Sequence, residues 1–406
     1  MDIQTAKLQV IEAGKRLVEQ GLISRTWGNV SCRIDEKSFV ITPSGKPYET
    51  LTPEQIVLVA VETLAYNGGI KPSSEKGVHA EVYKARPEIN FVIHTHQINA
   101  SVLGAVCCNL RYVPPAAAKV IGKNVPLAAY GLPGTKKLME GVADVLARSK
   151  SNAIMMAHHG VLCFGADSDM AFDCALLLEK VCAENVFLRF MKEYSTEVTD
   201  MAQFVEKMAE KAVGVKDFAL LEKPGFTSTR KGENFVLSIA DGSEKPVVIN
   251  TASGKSVNEG KLPAEAALHR AVYLKRPDMN FIVHTRSGES LAVSCLGQTV
   301  KPLLDDFAQI VGVDIRCAAF DEKNAEKSAL QCVNALKGRH AVLIKNGGAL
   351  SCGSDESDAR AVEMITDKNS LVFLGTMLYN VYQPITPVHS QLMRFIYLKK
   401  YSKQAK

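Results

Sequence analysis

The stretch NFVIHTHQINAS (residues 90–101) sets His94 and His96 one residue apart, directly after an apolar run. Its β-branched and aromatic residues favour a strand, and side chains two apart on a strand point to the same face. Two imidazoles aimed into one space form a chelating pair, whereas a lone strand histidine is more often a hydrogen-bonded core residue. AIMMAHHG (residues 153–160) offers a third, since its apolar run ends in His158, His159 and Gly160. These two histidines face opposite sides if the strand persists, so one of them can join the pair. Three imidazoles with an open position are the arrangement of a catalytic rather than a structural zinc site, and iron, cobalt or manganese could bind the same set.

The elements that must position these ligands occur twice. SSEKGVHAEVYKARPEINFVIHTH (73–96) lies against PAEAALHRAVYLKRPDMNFIVHTR (263–286) at a constant offset of 190 residues, with Glu75 against Glu265, His79 against His269, Tyr83 against Tyr273 and His94 against His284. Upstream, ITPSGK (41–46) recurs as INTASGK (249–255); downstream, AIMMAHHGVLCFGAD (153–167) recurs as AVLIKNGGALSCGSD (341–355). The chain therefore reads as two copies of one α/β module, residues 1–212 and 226–406, joined within KAVGVKDFALLEKPGF (211–226). Between its Ser-Gly turn and its glutamate the second copy is shorter, as if it had lost a segment matching LTPEQIVLVAVETLAYNGG. At the start, Leu8, Ile11, Leu17 and Leu22 recur at helical spacing and Gly21 follows, so the chain opens on an amphipathic helix.

Composition narrows the class. A chain of 406 residues, 47% hydrophobic and 22% charged, is globular and long enough for two domains. Its net charge of +5 suits an anionic small molecule and falls short of a nucleic-acid-binding signature. Ten cysteines without a C-x-x-C pair, and the lack of an N-terminal apolar leader, point to a reducing cytoplasm. No apolar run approaches membrane-spanning length, so no membrane partner is expected. The basic, aromatic tail SQLMRFIYLKKYSKQAK (390–406) reads as a final helix with a frayed end.

GNVSCR (28–33), ITPSGKPYETLT (41–52), KPSSEKGVHAEVYKARP (71–87), VIHTH and HHG occur in one order along nearly the whole first copy. In these motifs the sequence resembles the class II aldolase and adducin family, which includes fuculose-phosphate aldolase and ribulose-phosphate 4-epimerase. The resemblance implies two tandem α/β/α modules, each a central, mostly antiparallel sheet flanked by helices. It also implies that zinc is held by His94, His96 and His159, that Glu75 is the acid/base residue, and that Asn29, Ser44, Gly45, Ser73 and Ser74 surround a substrate phosphate. The implied reaction is reversible retro-aldol cleavage of a ketose 1-phosphate to dihydroxyacetone phosphate and an aldehyde. Related outcomes are 4-epimerisation, dehydration of a sugar phosphate, or a non-catalytic adducin-like interaction protein. Family active sites lie between subunits of a cyclic tetramer, so the tandem chain is expected to be a homo-oligomer, a dimer or tetramer.

Each implied role has a physical rationale. PSSE resembles a helix start, whose free amides suit a phosphate. A capping box would need Glu or Gln three residues after Ser73 or Ser74, yet Lys76 and Gly77 stand there, so capping does not explain Glu75. The glycine of PSG lets backbone amides approach an anion, and Asn29 is either a turn residue or a polar contact. His79, four residues after Glu75, could orient it from beneath. Bound zinc could take the carbonyl and hydroxyl of a ketose while Glu75 moves a proton. One departure concerns the tyrosine expected after the ligand strand: Pro115 stands in its place and Tyr112 lies about three positions off, leaving the donor to the leaving oxygen unassigned. In the second copy His284 and Glu265 survive, but Arg286 and Gly347 replace the other two ligands, so zinc affinity should be lost; Arg286 is expected to be solvated or ion-paired.

Overall fold

In the computed structural model, which describes residues 1–23, 26–110, 112–258 and 262–401, the strand segments pair into two seven-stranded sheets, one in each of two units. The first unit holds β1 (Asn29–Arg33), β2 (Ser38–Ile41), β3 (Val57–Ala60), β4 (Phe91–Thr95), β5 (Leu127–Ala128), β6 (Ala153–Met156) and β7 (Val161–Gly165), in the order β3-β2-β1-β4-β7-β6-β5. All neighbours are antiparallel except β5 with β6. Flanking it are α1 (Ile3–Glu19), α2 (Lys76–Ala85), α3 (Ile98–Ala105), α4 (Pro115–Ile121), α5 (Lys136–Arg148) and α6 (Ser168–Tyr194). The expected α/β modules with mostly antiparallel sheets are thus present.

Asp2 starts α1 by accepting the Thr5 amide at 2.9 Å, and Gly21 follows its end at φ +67°. The buried stripe runs through Ala6, Val10, Ile11 and Leu17, while Leu8, expected on the apolar face, is exposed. Gly14 is the reason: the Tyr48 ring lies where its Cβ would be, and that close approach turns Leu8 outward.

One face of the sheet carries the core. Val78 and Val82 of α2 and Leu138 and Val142 of α5 close over Phe39, Val59, Val92, Ile154 and Leu162. Burial of each such aliphatic side chain stabilises by about 1.5–3 kcal/mol. β4 is central and buried at every position, between β1 and β7. By alternation Val92 and His94 share a face, so the core stripe ends in the histidine, under the start of α2.

The second unit begins inside α6, at Phe190, and ends at Tyr397, short of the expected 406. It contains α7 (Met201–Met208), β8 (Phe226–Lys231), β9 (Asn234–Ile239), β10 (Val247–Asn250), α8 (Glu265–Lys275), β11 (Phe281–Thr285), α9 (Gly288–Cys295), α10 (Asp305–Ile310), β12 (Cys317–Ala318), α11 (Ala325–Leu336), β13 (Ala341–Ile344), β14 (Gly348–Gly353), α12 (Glu356–Tyr379) and α13 (Pro387–Ile396). Its strand order, β10-β9-β8-β11-β14-β13-β12, repeats the first. The joint expected at 211–226 and the division between units differ. Phe190 is fully buried against Tyr194 and Phe204, at ring separations of 4.9 and 5.7 Å, and α7 packs on α9, so residues 190–212 pack with the second sheet. The tail forms α13 and a π turn at Tyr397–Tyr401; residues 402–406 lie outside the described residues. Among the described residues no helix is long and apolar enough to cross a membrane.

The topology corrects one part of the repeat. ITPSGK follows β2, which pairs with β1, whereas INTASGK follows β10, the edge strand in the place of β3. The bridge Ile249–Ser256 and the bond from the Asn250 amide to the Lys255 carbonyl repeat Val59–Tyr66 and Ala60–Ala65 at the 190-residue offset. INTASGK is therefore the turn after the third strand. What is short in the second unit is the connection between its second and third strands, residues 240–246 against 42–56, and that connection carries Ser44 and Gly45 in the first unit. Ser-Gly is common turn chemistry, so a short match of this kind does not fix register.

The hairpin from β6 to β7 is tight, with His158 at φ +61°. A Cβ at Gly160 would run into the Thr95 carbonyl and the His94 ring. Replacing Gly160 with Ala is expected to destabilise the first unit by about 1–3 kcal/mol, measured as faster hydrogen exchange in β4 and β7 while the second unit is unchanged.

Candidate metal centre and active site

Three elements converge at the end of β4. The strand supplies His94 and, one step beyond it, His96; the β6–β7 hairpin supplies His159; the residue before α2 supplies Glu75. The imidazole centroids form a triangle with sides of 4.8, 5.0 and 5.0 Å, and the rings of His94 and His159 are stacked within 3°. One ligand atom from each of the four residues lies within 4.8 Å of all the others. Among the described residues this is the one such cluster that could hold a metal ion. His158, the alternative third ligand, points elsewhere because the chain turns there: its ring meets the Tyr130 ring edge-on at 5.6 Å.

The hydrogen bonds fix the chemistry of the cluster. His94 Nδ1 donates to the Val161 carbonyl at 2.8 Å, so in the neutral ring Nε2 carries a bare lone pair. That lone pair faces Glu75 Oε2 at 3.0 Å, and His159 Nε2 lies 2.7 Å from Oε1. Electron-rich atoms this close, buried together, need a positive charge between them, either protons on the rings or a metal ion. The donor set of three imidazole nitrogens and a carboxylate suits zinc. Burial pushes the Glu75 carboxyl up, but His159 and His94 outweigh it and hold the group well below the usual carboxylate range, so it is ionised.

Beneath Glu75 lies a polar chain. The β1–β4 register sets Asn29 opposite His94, on the same face. Its Nδ2 donates to Glu75 Oε2 at 3.1 Å and its Oδ1 lies 2.5 Å from His79 Nε2, so both ends of the carboxamide are engaged. His79 Nδ1 meets Ser31 Oγ at 2.6 Å, which meets Tyr83 OH at 2.7 Å. Burial first, and the nearby His94, push the His79 imidazole down to about 3, so it is neutral. Ser31 and the role of Tyr83 were not legible in the motifs. The signal for them is the i, i+4 spacing of His79 and Tyr83 on α2, combined with a polar residue in an otherwise apolar strand.

The candidate phosphate residues form one strip. A bridge joins Pro43 to Pro72, the Ser73 amide donates to the Thr42 carbonyl and the Ser44 amide to the Lys71 carbonyl, both at 3.0 Å. Ser73 Oγ accepts the Glu75 amide at 3.2 Å, tying this strip to the acid/base candidate. Gly45, at φ +69°, and Ser74 are exposed, and Ser44 is half-buried. Tyr112 is also exposed, and its carbonyl accepts the Asn185 amide.

The second unit keeps the same frame with other residues. Ser228, His269 and Tyr273 repeat the Ser31–His79–Tyr83 contacts at 2.7 and 2.8 Å. Phe226 stands at the register position of Asn29, opposite His284. His284 Nε2 donates to the carbonyl of Gly347, the residue in the place of His159. Burial, and then Arg286 against the opposing Gly347 bond, leave this imidazole down at about 4, hence neutral. Arg286, in the place of His96, sets its guanidinium 3.6 Å from Glu265 with both side chains nearly buried. As expected of an ion-paired arginine, it supplies the positive charge that the carboxylate requires. Replacing Arg286 with Met should strand Glu265 and cost the second unit about 3–5 kcal/mol; adding Glu265→Gln should recover most of it, as read by hydrogen exchange in β11 and α8.

Comparison with known proteins agrees with the tandem organisation. The sequence profile of the Class II Aldolase and Adducin N-terminal domain matches residues 8–186 and 238–368. A 5-deoxy-D-ribulose 1-phosphate aldolase of Bacillus thuringiensis is 31% identical over 188 residues, 45% of this chain and 85% of its own. An L-fuculose phosphate aldolase of Escherichia coli O6:H1 is 34% identical over 166 residues, 40% of this chain and 74% of its own. An L-ribulose-5-phosphate 4-epimerase of Salmonella paratyphi C is 28% identical over 190 residues, 44% of this chain and 83% of its own.

Proposed function

The chain belongs to the class II aldolase and adducin family, and from that premise we propose that the first unit is a zinc-dependent lyase module and the second unit its degenerate copy without a zinc site. The proposed substrate is a ketose 1-phosphate, cleaved reversibly to dihydroxyacetone phosphate and an aldehyde. The observation that carries this reading is the convergence of His94, His96, His159 and an ionised, buried Glu75, which among the described residues occurs in the first unit alone.

His94, His96 and His159 would hold the zinc. Bound there, zinc would act as a Lewis acid on the ketose oxygens and stabilise negative charge as it develops. Glu75 performs the proton transfer. In cleavage the bond between C3 and C4 breaks, the Glu75 carboxylate takes the C4 hydroxyl proton as the aldehyde forms and passes it to C3; in condensation the carboxylate removes the C3 proton and returns it to the aldehyde oxygen as the C3–C4 bond forms. A carboxylate that is ionised at rest suits the first transfer in either direction. Ser44, Gly45, Ser73, Ser74 and the remaining amide hydrogen of Asn29 would hold the phosphate through hydroxyls and through amides not already donated within the strip. An epimerase would use the same site and bond cleavage but retain the aldehyde for re-addition, a reading supported by similarity to the ribulose-phosphate epimerase. The ten free cysteines support a reducing, cytoplasmic setting, and a homo-oligomer of tandem chains is proposed by analogy with the family.

Zinc-loaded protein is expected to release dihydroxyacetone phosphate from at least one member of a ketose 1-phosphate panel. Glu75→Gln should lower kcat by about 10²–10⁴-fold with zinc retained. Epimerised ketose with no free aldehyde would select the epimerase, and no turnover of any phosphorylated sugar by the zinc-loaded chain would remove both enzyme readings.

A further inference from the structure

The chain Tyr83–Ser31–His79–Asn29 ends on Glu75, and the direction of every hydrogen bond along it follows from the orientation of the Asn29 carboxamide. Asn29 presents its NH2 to Glu75 Oε2, where it donates at 3.1 Å. Its carbonyl oxygen then faces His79 Nε2, which must carry the proton. A neutral ring protonated at Nε2 accepts at Nδ1, so Ser31 donates to His79, and Tyr83 donates to Ser31. No group along the chain is left with two donors or two acceptors facing each other. All of these side chains are buried.

We infer that His79 is a positioning residue: through the Asn29 carboxamide it fixes the orientation in which Glu75 transfers protons. This rests on the lyase reading for the identity of the proton transfer. The second unit supplies an internal control. Ser228, His269 and Tyr273 repeat the contacts of Ser31, His79 and Tyr83, so that part of the network serves the fold in both units. The link onward is present only where the histidine cluster is present. In the second unit Phe226 replaces Asn29, and His269 Nε2 has no hydrogen-bond partner among the described residues. A purely structural role for His79 does not account for an Asn29 that bonds it on one side and Glu75 on the other.

The test separates the two nitrogens of the ring. An Asn side chain at position 79 retains the Nδ1-side contact to Ser31 and loses the donor to Asn29; a Gln side chain reaches as Nε2 does and restores that donor. The readout is exchange of the C3 proton of dihydroxyacetone phosphate into D2O by the zinc-loaded full-length chain, which needs proton transfer at Glu75 and no aldehyde. His79→Asn should lower kcat for exchange by about tenfold or more with KM within about twofold, and His79→Gln should recover most of the loss. His269→Asn should leave exchange unchanged. Equal losses in both His79 variants, or a loss carried in KM, would overturn the assignment. Nitrogen-15 histidine spectra of the metal-free protein provide a readout independent of activity: His79 should be the Nε2–H tautomer, with a proton resonance that shifts on Asn29→Leu, and an Nδ1–H tautomer or an imidazolium at neutral pH would overturn the relay. Absence of exchange in the wild-type chain would count against the lyase reading, and the spectra would still decide the relay.

Discussion

A buried carboxylate must be given a positive charge. Removing Glu75 from water costs several kcal/mol unless cations and donors surround it, and the first unit surrounds it with His94, His159 and the Asn29 amide. Because His94 Nδ1 is tied to the Val161 carbonyl, a neutral ring would turn a lone pair toward the carboxylate, so the pocket calls for a cation, either a ring proton or a metal ion. Glu265 faces the same problem and is answered by Arg286. With the charge supplied from within the chain, the remaining ligand positions lose their purpose: Gly347 takes the place of His159, His284 bonds a carbonyl and Phe226 fills the place of Asn29.

Placement comes from the ends of regular elements and one tight hairpin rather than from long loops. The central strand β4 fixes His94 and points His96 to the same face, its register with β1 brings Asn29 alongside, and the start of α2 sets Glu75 over them. The glycine at 160 lets the β6–β7 hairpin lie against the end of β4 closely enough to deliver His159. Sites built on regular elements hold their geometry better than sites on long loops, and the relay beneath Glu75 adds a further constraint on the carboxylate that we propose as the proton carrier.

Much of this was readable in the chain. A strand bearing His-x-His needs only a two-residue period to predict a shared face, and the long 73–96 repeat predicted a second module whose sheet has the same strand order. Other features depend on pairing that no local pattern reveals. Asn29 reads as a turn or ligand residue until the β1–β4 register places it between Glu75 and His79. The choice between His158 and His159 turns on a left-handed φ in a hairpin, and INTASGK misled because Ser-Gly marks turns in general rather than one turn. Leu8 fits the helical period but is exposed, because close packing of Gly14 on Tyr48 decides which face of α1 is buried.

The central claim is that the first unit meets its buried carboxylate with a metal ion and the second with an arginine. Anomalous diffraction at the zinc edge from crystals of the full chain grown with zinc tests it most directly. The account predicts one strong peak between the imidazole nitrogens of His94, His96 and His159, and none beside Glu265 and Arg286. A peak beside Glu265, or no peak among the three histidines, would contradict it.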